Sequence, residues 1–508
     1  MAAAIEFGAS PEGVQSLALK RANRHGLIAG ATGTGKTVTL QVLAEAFARE
    51  GVNVFAADIK GDFSGCAATD TAPPNWAQAR AAEINMPITP EAAPVVFWDV
   101  YGELGHPVRT TVTEMGPVLM GRVLEATEAQ EGALTIAFRL ADDWIKAGKN
   151  EGLLLDLDDL RAILTHISDN ADEVGKQYGL VTSQTIAALQ RKLLQLEMDG
   201  AERFFGEPAF KLEELLRQRD DGKGTINVLA SERLVQSPRL YSAFLLWLMS
   251  ELWEELPEVG DQDKPKLVFF FDEAHLLFRD APKELISKVE QVVRLIRSKG
   301  VGIYFVTQSP TDIPDLVLSQ LGNRFQHALR AYTPQDQKAV RAAAQSFRAN
   351  ENVDVAKEIQ ELGVGEALVS TLDAKGAPTP VARTKIRPPN SHVGPILLSE
   401  RQALMRANTA GRAYEKAVDR ESAHEILGRR ATQAAEAAAR AEERAAREKE
   451  AARQSRSTRS GSSRSTRRTG GSRTTAVERQ TGRVASGAMN TIIRELMRGI
   501  LGTPRRRR

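Results

Sequence analysis

Short, uninterrupted runs of apolar residues recur along most of the chain. Such runs are typical of strands that are covered on both faces, as in a parallel sheet between two layers of helices. The strands predicted in this way lie at 26–29, 52–58, 94–100, 224–229, 266–271, 302–307, 321–330, 363–370 and 379–386. The pattern therefore predicts an α/β fold with a mostly parallel central sheet.

Helical spacing of apolar residues fills many of the segments between these runs. The longest helical region, from 114 to 216, separates two groups of predicted strands, so we interpret residues 111–222 as an α-helical insertion. The core would then be built from residues 1–110 and 223–390. Within that core, helices are predicted at 38–50, 238–255 and 284–299.

After residue 390 the sequence becomes helical and polar, which predicts a helical extension over 391–454. Residues 455–485 are rich in Ser, Arg, Thr and Gly, a composition that predicts a disordered linker. The last segment, 486–508, combines an amphipathic helical pattern with a basic end. Docking on another subunit or protein partner, contact with a membrane surface, and contact of the arginines with nucleic acid all fit this segment.

The composition narrows the class of protein. Cys66 is the single cysteine among 508 residues, which excludes a disulfide framework and a cysteine-based zinc site and predicts a cytoplasmic location. No signal peptide is recognisable, and the apolar runs are too short to span a bilayer, so no transmembrane segment is expected. Residues 451–508 contain 15 arginines and 2 glutamates, whereas the whole chain has a net charge of +2. The rest of the protein is therefore net acidic, and phosphate contacts would come from local patches or from the tail.

Residues 30–37, Gly-Ala-Thr-Gly-Thr-Gly-Lys-Thr, follow a predicted strand and precede a predicted helix. In that context the pattern G-x-x-x-x-G-K-[ST] is a phosphate-binding loop, because its glycines let backbone N–H groups converge on phosphate oxygens. Lys36 is expected to reach the β- and γ-phosphates of ATP, and Thr37 to ligate Mg²⁺. The predicted nucleotide-binding residues are Gly30, Ala31, Thr32, Gly33, Thr34, Gly35, Lys36, Thr37 and Val38.

Two adjacent acids, Asp272 and Glu273, end the apolar run at 266–271. In a P-loop ATPase the first acid assists Mg²⁺ and the second acts as the general base that polarises the attacking water. Gln308 ends the next predicted strand, where it would either sense the γ-phosphate or cap the strand. His275 would contact the γ-phosphate or a neighbouring segment, or be an ordinary packed or solvated histidine.

Two further pairs of charged residues leave alternatives open. Arg324 and Arg330 lie in the strand-like segment 321–330, and either is a candidate for an arginine that completes a neighbouring subunit's site. Surface ion pairing is the alternative for both. Asp58 and Asp62 follow the second predicted strand, at the sheet edge where ligands bind. They would tune the metal or couple to a neighbour, or cap the backbone of a turn.

With these motifs the chain resembles the HerA-like P-loop ATPases of the HerA/FtsK superfamily, and in particular their bacterial YjgR-like branch. The resemblance covers most of residues 6–427 and is carried beyond the nucleotide motifs by 111–117, 153–159, 307–310 and 330–334. It implies a RecA-like core and hexameric rings with ATP sites between subunits. It also implies that Lys36 and Thr37 bind nucleotide and Mg²⁺, that Asp272 and Glu273 form the acidic pair, that Gln308 is the sensor, and that Arg324 occupies the finger position with Arg330 close by.

Two hypotheses for the function follow. The first is an oligomeric, Mg²⁺-dependent ATP hydrolase that moves on DNA or remodels a partner. The second is a nucleotide-gated assembly scaffold that binds ATP and recruits a partner through its tail without translocating DNA. The acidic body favours the scaffold, because a DNA pump needs a basic pore. HerA itself carries a β-barrel domain before its phosphate loop, whereas this loop begins at Gly30, so coupling to a nuclease and duplex translocation are not carried over.

Overall fold

The structure, a computed structural model, describes residues 3–260, 262–279 and 281–459. In this part of the chain the strands are β1 Ala4–Ser10, β2 Gly13–Ala18, β3 Gly26–Ala29, β4 Asn53–Asp58, β5 Val95–Asp99, β6 His106–Pro107, β7 Ile226–Ala230, β8 Leu267–Phe271, β9 Val301–Thr307, β10 Asn323–Gln326, β11 Glu366–Ser370 and β12 Ala382–Ile386.

Helices separate most of these strands, as the apolar spacing predicts. They are α1 Lys36–Arg49, α2 Asn75–Glu83, α3 Val112–Val123, α4 Glu128–Lys146, α5 Leu157–Asp169, α6 Ala171–Tyr178, α7 Ser183–Met198, α8 Glu213–Leu216, α9 Pro238–Glu255, α10 Lys283–Leu295, α11 Asp315–Leu318, α12 Pro334–Gln345, α13 Val355–Glu361, α14 Leu398–Ala407, α15 Arg412–Glu415 and α16 Ala423–Arg459.

All the described strands belong to one sheet, in the order β2-β1-β12-β11-β10-β3-β9-β8-β4-β7-β5-β6. Every pair from β10 to β6 is parallel, and the pairs from β10 back to β2 are antiparallel. The predicted mostly parallel sheet is confirmed. The antiparallel edge formed by β1 and β2 was not predicted, because both strands mix exposed and buried residues and form no continuous apolar run.

The central strands are apolar throughout because each buries both of its faces. All five residues of β8 are buried. Phe269 and Phe271 join one hydrophobic cluster with the helices of the 112–216 region, whereas Val268 and Phe270 join a second cluster with α1. Successive side chains of a strand point to opposite faces, so an unbroken apolar run is what a doubly covered strand requires.

The helices α3 to α8 form a layer that packs on the sheet and shares its core. Leu134 of α4, Leu160 of α5 and Leu189 of α7 belong to the same buried cluster as the β8 phenylalanines. The layer begins with a capping box, in which the Thr111 hydroxyl accepts the Glu114 N–H at 3.1 Å and the Glu114 carboxylate accepts the Thr111 N–H at 3.2 Å. This pair satisfies two backbone donors at the start of α3.

The segment after β12 crosses the core and then the helical layer, within the compact unit that ends at residue 433. The Glu45 carboxylate accepts N–H bonds from Asn390 and Ser391 at 2.8 and 3.1 Å, which attaches the segment to α1. Farther along, the Ser422 hydroxyl donates to Asp159 at 2.6 Å, which attaches it to α5. Buried polar groups that are fully bonded in this way fix the path of a chain that has little apolar surface of its own.

From residue 434 the structure forms a second unit, whose described part is the remainder of α16. Between residues 434 and 452 its Glu and Arg side chains are exposed, and two pairs form at i,i+4, Arg440–Glu436 at 3.4 Å and Arg447–Glu443 at 2.7 Å. The helix continues past the predicted boundary at 454 to Arg459. The predicted disordered linker from 460 onward and the predicted amphipathic helix at 486–508 lie outside the described residues.

Several predicted elements have different bounds in the structure. The predicted strand at 321–330 is β10, which ends at Gln326, because the chain leaves the sheet after pairing with the four-residue β3. The predicted helix at 284–299 continues from Leu295 as a 3₁₀ turn, and the strand expected from 379 begins at Ala382. Among the helices of residues 3–459 that are described, none has both the length and the apolarity to cross a bilayer.

Candidate active site

The loop between β3 and α1 is built from glycines with left-handed backbone angles. Gly30, Gly33 and Gly35 have φ angles of 156°, 76° and 108°. A Cβ on Gly30 would lie 2.5 Å from the Cβ of His327, and a Cβ on Gly35 would lie 3.1 Å from the Cα of Gly365. Both the backbone angles and the close neighbours therefore require glycine at positions 30 and 35.

The strands next to β3 hold this loop in place through backbone hydrogen bonds. Ala31 N–H donates to Ala328 O at 2.8 Å, just beyond β10. Gly365 N–H, just before β11, donates to Thr34 O at 2.9 Å. These two bonds attach the loop to the chain beside β10 and β11, so the neighbouring part of the sheet helps to set the shape of the loop.

Lys36, the first residue of α1, folds back over the loop. Its ammonium donates to Gly30 O at 2.7 Å and to Ala31 O at 3.1 Å. Burial lowers the pKa of Lys36, and the nearby carboxylate of Glu273 acts in the opposite direction. Thr37, the next residue, lies half-buried on the first turn of α1. The cationic group and the positive end of the helix dipole are therefore located together at the loop.

The two acids predicted for this site follow β8 directly. Burial and the neighbouring charge of Glu273 raise the pKa of Asp272 to about 6. Glu273 has a left-handed backbone, with a φ of 45°, which is unusual for a residue with a side chain. Such conformations occur where the surrounding structure enforces a particular side-chain direction.

Three side chains contact the carboxylate of Glu273. The ammonium of Lys60 bonds to Oε1, His275 Nδ1 lies 3.2 Å from Oε2, and Gln308 Nε2 lies 3.4 Å from Oε2. Burial opposes ionisation of Glu273, but the bonds from Lys60 and Gln308 and the charges of Lys60 and His275 outweigh it and lower the pKa of this carboxyl. Gln308 and His275 therefore both contact Glu273, whereas the predicted contacts of Gln308 and His275 with the γ-phosphate stay predictions.

Asp58 caps a turn that presents Lys60. Its carboxylate accepts the N–H groups of Lys60, Gly61 and Phe63 at 3.3, 2.9 and 3.1 Å. The structure therefore shows Asp58 in one of the roles expected from the sequence, that of capping the backbone of a turn. Burial, Glu232 and Asp272 raise the pKa of Asp58 to about 7. Asp62 lies at the start of the 3₁₀ helix that follows the turn.

His327 supports the loop from behind. It is fully buried, and its Nε2 lies 2.9 Å from the Thr39 hydroxyl on α1. Burial and the charge of Lys36 lower the pKa of His327 to about 4, so that the ring is neutral near pH 7. No motif points to His327 or Lys60 in the sequence. The one signal for Lys60 is the Asp-x-Lys-Gly spacing at 58–61, which marks a turn at the ligand-binding edge of the sheet.

An open cavity of about 500 Å³ lies in front of the loop. Ala31, Thr32, His275, Gln308 and Arg330 are among the residues that line it. Because Arg330 borders the cavity of its own chain, it lies in cis to the phosphate loop. Its guanidinium is exposed and donates to Gln360 O at 2.7 Å.

Arg324 lies elsewhere, near the beginning of β10. It pairs with Leu27, the second residue of the parallel strand β3. Its backbone therefore lies nearer to the amino end of β3 than to the carboxyl end, where the phosphate loop begins. Its guanidinium donates to Leu321 O and Leu318 O, both at 3.2 Å, at the end of α11. The two arginines that the sequence groups together therefore occupy different places.

The donor groups at the loop fit a hard divalent cation. Thr37 offers a hydroxyl on the first turn of α1, and Asp272 offers a carboxylate at the end of β8. Mg²⁺ prefers such oxygen ligands together with phosphate oxygens and water. A cation beside Asp272 would also oppose the effects of burial and of the Glu273 charge, which together raise the pKa of Asp272.

The model of the helicase HerA-like C-terminal family matches residues 7–508 of the chain. The chain belongs to this family. A probable helicase of Methanocaldococcus jannaschii is 30% identical to this HerA-like chain over 156 residues, which are 28% of the chain and 28% of that protein. The chain thus covers well under half of that relative's length. The predicted membership of the HerA-like proteins is confirmed, and the assignment to the YjgR-like branch stays a prediction.

Two solved structures align with about three quarters of this chain. The plasmid coupling protein TrwB, in complex with the non-hydrolysable GTP analogue GDPNP, aligns with 78% of this HerA-like chain and 92% of its own chain, at 15% identity and a TM-score of 0.51. VirB4 of Thermoanaerobacter pseudethanolicus aligns with 76% of the chain and 97% of its own, at 15% identity and a TM-score of 0.49. The likeness to TrwB confirms the predicted RecA-like P-loop ATPase fold.

Replacement of Gly35 by alanine tests whether the shape of the loop is needed for phosphate binding. The new Cβ would lie 3.1 Å from the Gly365 backbone at a φ of 108°, so the loop must distort. We expect Gly35→Ala to weaken binding of a non-hydrolysable ATP analogue at least about tenfold, measured by isothermal titration calorimetry.

Gly132→Ala is the matched control. Gly132 lies inside α4, and nothing is within 4 Å of its added Cβ, so this change should leave affinity unaltered. Equal affinity of the Gly35→Ala and wild-type proteins would contradict the assignment of the loop.

Proposed function

We propose that this HerA-like protein is a Mg²⁺-dependent ATP hydrolase that works as an oligomeric motor. The observation that carries the proposal is the meeting of Lys36, Asp272 and Glu273 at one edge of the sheet, although the acids are far from the lysine in sequence. The family and the probable helicase among the relatives support a nucleotide-dependent motor.

The phosphate loop would bind the triphosphate through its backbone N–H groups and the positive end of α1. Lys36 would exchange its bonds to Gly30 O and Ala31 O for bonds to the β- and γ-phosphates. Thr37 and Asp272 would hold Mg²⁺, which neutralises phosphate charge when bound. The full set of proposed nucleotide contacts is Gly30, Ala31, Thr32, Gly33, Thr34, Gly35, Lys36, Thr37 and Val38.

Glu273 would act as the general base. Its ionised carboxylate would accept a proton from the water that attacks the γ-phosphate in line with the leaving oxygen. Gln308, which lies 3.4 Å from Glu273 and also lines the cavity, would orient that water or sense the γ-phosphate. These roles make the hydrolysis depend on elements from three neighbouring strands, β3, β8 and β9.

The positions of the two arginines support different roles for them. Arg330 borders the cavity of its own chain, so we assign it to phosphate contact in cis. Arg324 would supply the transition-state charge to a neighbouring subunit of a hexamer. Its present bonds to the carbonyl oxygens at the end of α11 would be exchanged when the subunits assemble.

Two outcomes of hydrolysis remain distinct proposals. In the first, the ring is a helicase-like DNA translocase, which the relative described as a probable helicase favours. In the second, ATP binding sets ring assembly and the arginine-rich tail recruits a protein partner, which the net acidic remainder of the chain favours. The first needs DNA to raise the ATPase rate, and the second does not.

Lys36→Ala and Glu273→Gln test the roles in the site. We expect Lys36→Ala to abolish measurable nucleotide binding, because the phosphates lose their principal cation. We expect Glu273→Gln to bind ATP normally but to lower kcat at least about 100-fold, because an amide cannot accept the proton. Steady-state phosphate release and nucleotide titration measure both effects.

Lys357→Ala and Glu361→Gln are matched controls, since these residues form an exposed ion pair of 4.0 Å on α13. Both controls should retain wild-type turnover. Wild-type rates in Lys36→Ala or Glu273→Gln would reject the site.

Mixing of inactive subunits distinguishes an arginine that acts in trans from one that acts in cis. Arg324→Ala and Lys36→Ala should each be inactive alone. Mixed, they should regain part of the ATPase rate, because some interfaces then join an intact loop to an intact Arg324. Arg330→Ala mixed with Lys36→Ala should stay inactive, because every subunit then carries one defect in its own site. The opposite pattern would exchange the two assignments.

The ATPase rate with and without DNA decides between translocase and scaffold. A translocase should be stimulated severalfold by single- or double-stranded DNA, and the stimulation should weaken as salt rises because phosphate contacts are electrostatic. No response to either form of DNA at low salt would favour the scaffold. The Glu273→Gln protein provides the background rate.

A further inference from the structure

The turn after β4 brings a lysine to the acid pair of the site. Strand β4 lies beside β8 in parallel register, with Ala57 paired with Phe271. The residues that follow these strands therefore emerge next to each other at the same edge of the sheet. Lys60 and Glu273 are the side chains that meet there, although they are 213 positions apart in the chain.

The contact joins a half-exposed cation to a nearly buried acid. The Lys60 ammonium bonds to Glu273 Oε1, and the exposed fractions of the two side chains are 44% and 6%. Neutral Gln308 and the ring of His275 contact the other oxygen. Within the described residues, Lys60 is thus the one lysine or arginine bonded to this carboxylate. Its bond fixes the position of Oε1.

Hydrogen bonds within the turn restrict the backbone conformation of Lys60. The Asp58 carboxylate accepts hydrogen bonds from three backbone N–H groups of the turn, including that of Lys60 itself. Gly61 has a φ of 78°, and a Cβ there would lie 2.9 Å from Glu232 Oε1. A buried aspartate and a required glycine flank the lysine, so the turn determines where its side chain begins.

We propose that Lys60 is a positioning residue for hydrolysis, which holds the carboxylate of Glu273 in the direction required of the general base. The inference rests on the proposed function, since it assigns Lys60 a role through Glu273. Glu273 has a left-handed backbone and contacts on both oxygens, which together define one side-chain direction. Removal of Lys60 releases Oε1 and lets the side chain rotate away from the attacking water.

A stabilising surface ion pair would have the same contact but a different consequence. Pairs with a well-exposed partner contribute little to folding, because water screens the attraction. A structural role would lower the melting temperature of Lys60→Ala and leave kcat of the folded protein unchanged. A positioning role affects kcat, leaves nucleotide affinity nearly unchanged, and requires the carboxylate of Glu273.

A double-mutant cycle on the full-length protein separates these roles. Lys60→Ala is expected to lower kcat about 10- to 100-fold, as misplacement of a catalytic group does, with the Kd for a non-hydrolysable ATP analogue changed less than about threefold. In the Glu273→Gln background, Lys60→Ala should cause no further loss, because the group that it positions is already absent. Lys60→Arg, which retains the charge, should recover most of kcat.

Lys20→Ala is the matched control. Lys20 has a side-chain exposure of 43% and bonds to Asp263 at 3.3 Å, and it lies before β3, at the opposite edge of the sheet. It should retain wild-type kcat. If Lys60→Ala does not fold, Lys60→Met keeps the aliphatic chain and takes its place, with the melting temperature as the check.

Three results would overturn the inference: wild-type kcat in Lys60→Ala, a faster rate in that variant, or an equal loss in the Glu273→Gln background. A loss of nucleotide affinity that accounts for the whole defect would also overturn it, because Lys60 would then contact phosphate itself. Failure of the proposed function gives a different result, in which Glu273→Gln retains full turnover or the wild-type protein does not hydrolyse ATP.

Discussion

Two lysines and two acids lie together at one edge of the sheet. The positive charges of the lysines balance the negative charges of the acids, and this balance allows the acids to lie side by side. Asp272 and Glu273 are adjacent and partly or fully buried, an arrangement that is unfavourable unless cations lie beside it. Lys36 at the phosphate loop lies close enough for its charge to act on both acids, and Lys60, on the turn after β4, bonds to Glu273. Because the four charges come from three strands, they can be brought together only by a sheet in which β3, β8 and β4 end at the same edge.

The rest of the fold supplies what this edge needs. The apolar strands β8 and β9 are buried on both faces, so their ends cannot shift without disturbing two cores. Bonds from Ala328 and Gly365 fix the phosphate loop on the side away from the acids. The segment after β12 then attaches to Glu45 on α1, the helix that begins with Lys36. Each of these contacts restricts the movement of a group that carries charge.

Local sequence was sufficient for the parts of the site that are continuous in the chain. The loop at 30–37 and the pair Asp272–Glu273 are each defined by neighbouring residues and by an apolar strand before them. Lys60 and His327 could not be identified in this way, because their roles come from contacts with residues more than 200 positions away. The hairpin β1–β2 was missed for a related reason, since it joins the sheet through β1, which pairs with β12 from the far end of the core.

The same balance of charge bears on assembly. The two lysines offset the two acids, which leaves little positive charge for a triphosphate with several negative oxygens. Part of the Lys36 ammonium is engaged by loop carbonyl oxygens, so phosphate must compete for it. For the proposed hydrolysis, a divalent cation and further arginines would be needed to neutralise the developing charge. Arg330 can contribute from the same chain, whereas the guanidinium of Arg324 bonds to carbonyl oxygens at the end of α11. If the proposed ring forms, a second copy would supply the positive charge that one chain lacks, and the proposed hydrolysis would then depend on assembly of the subunits.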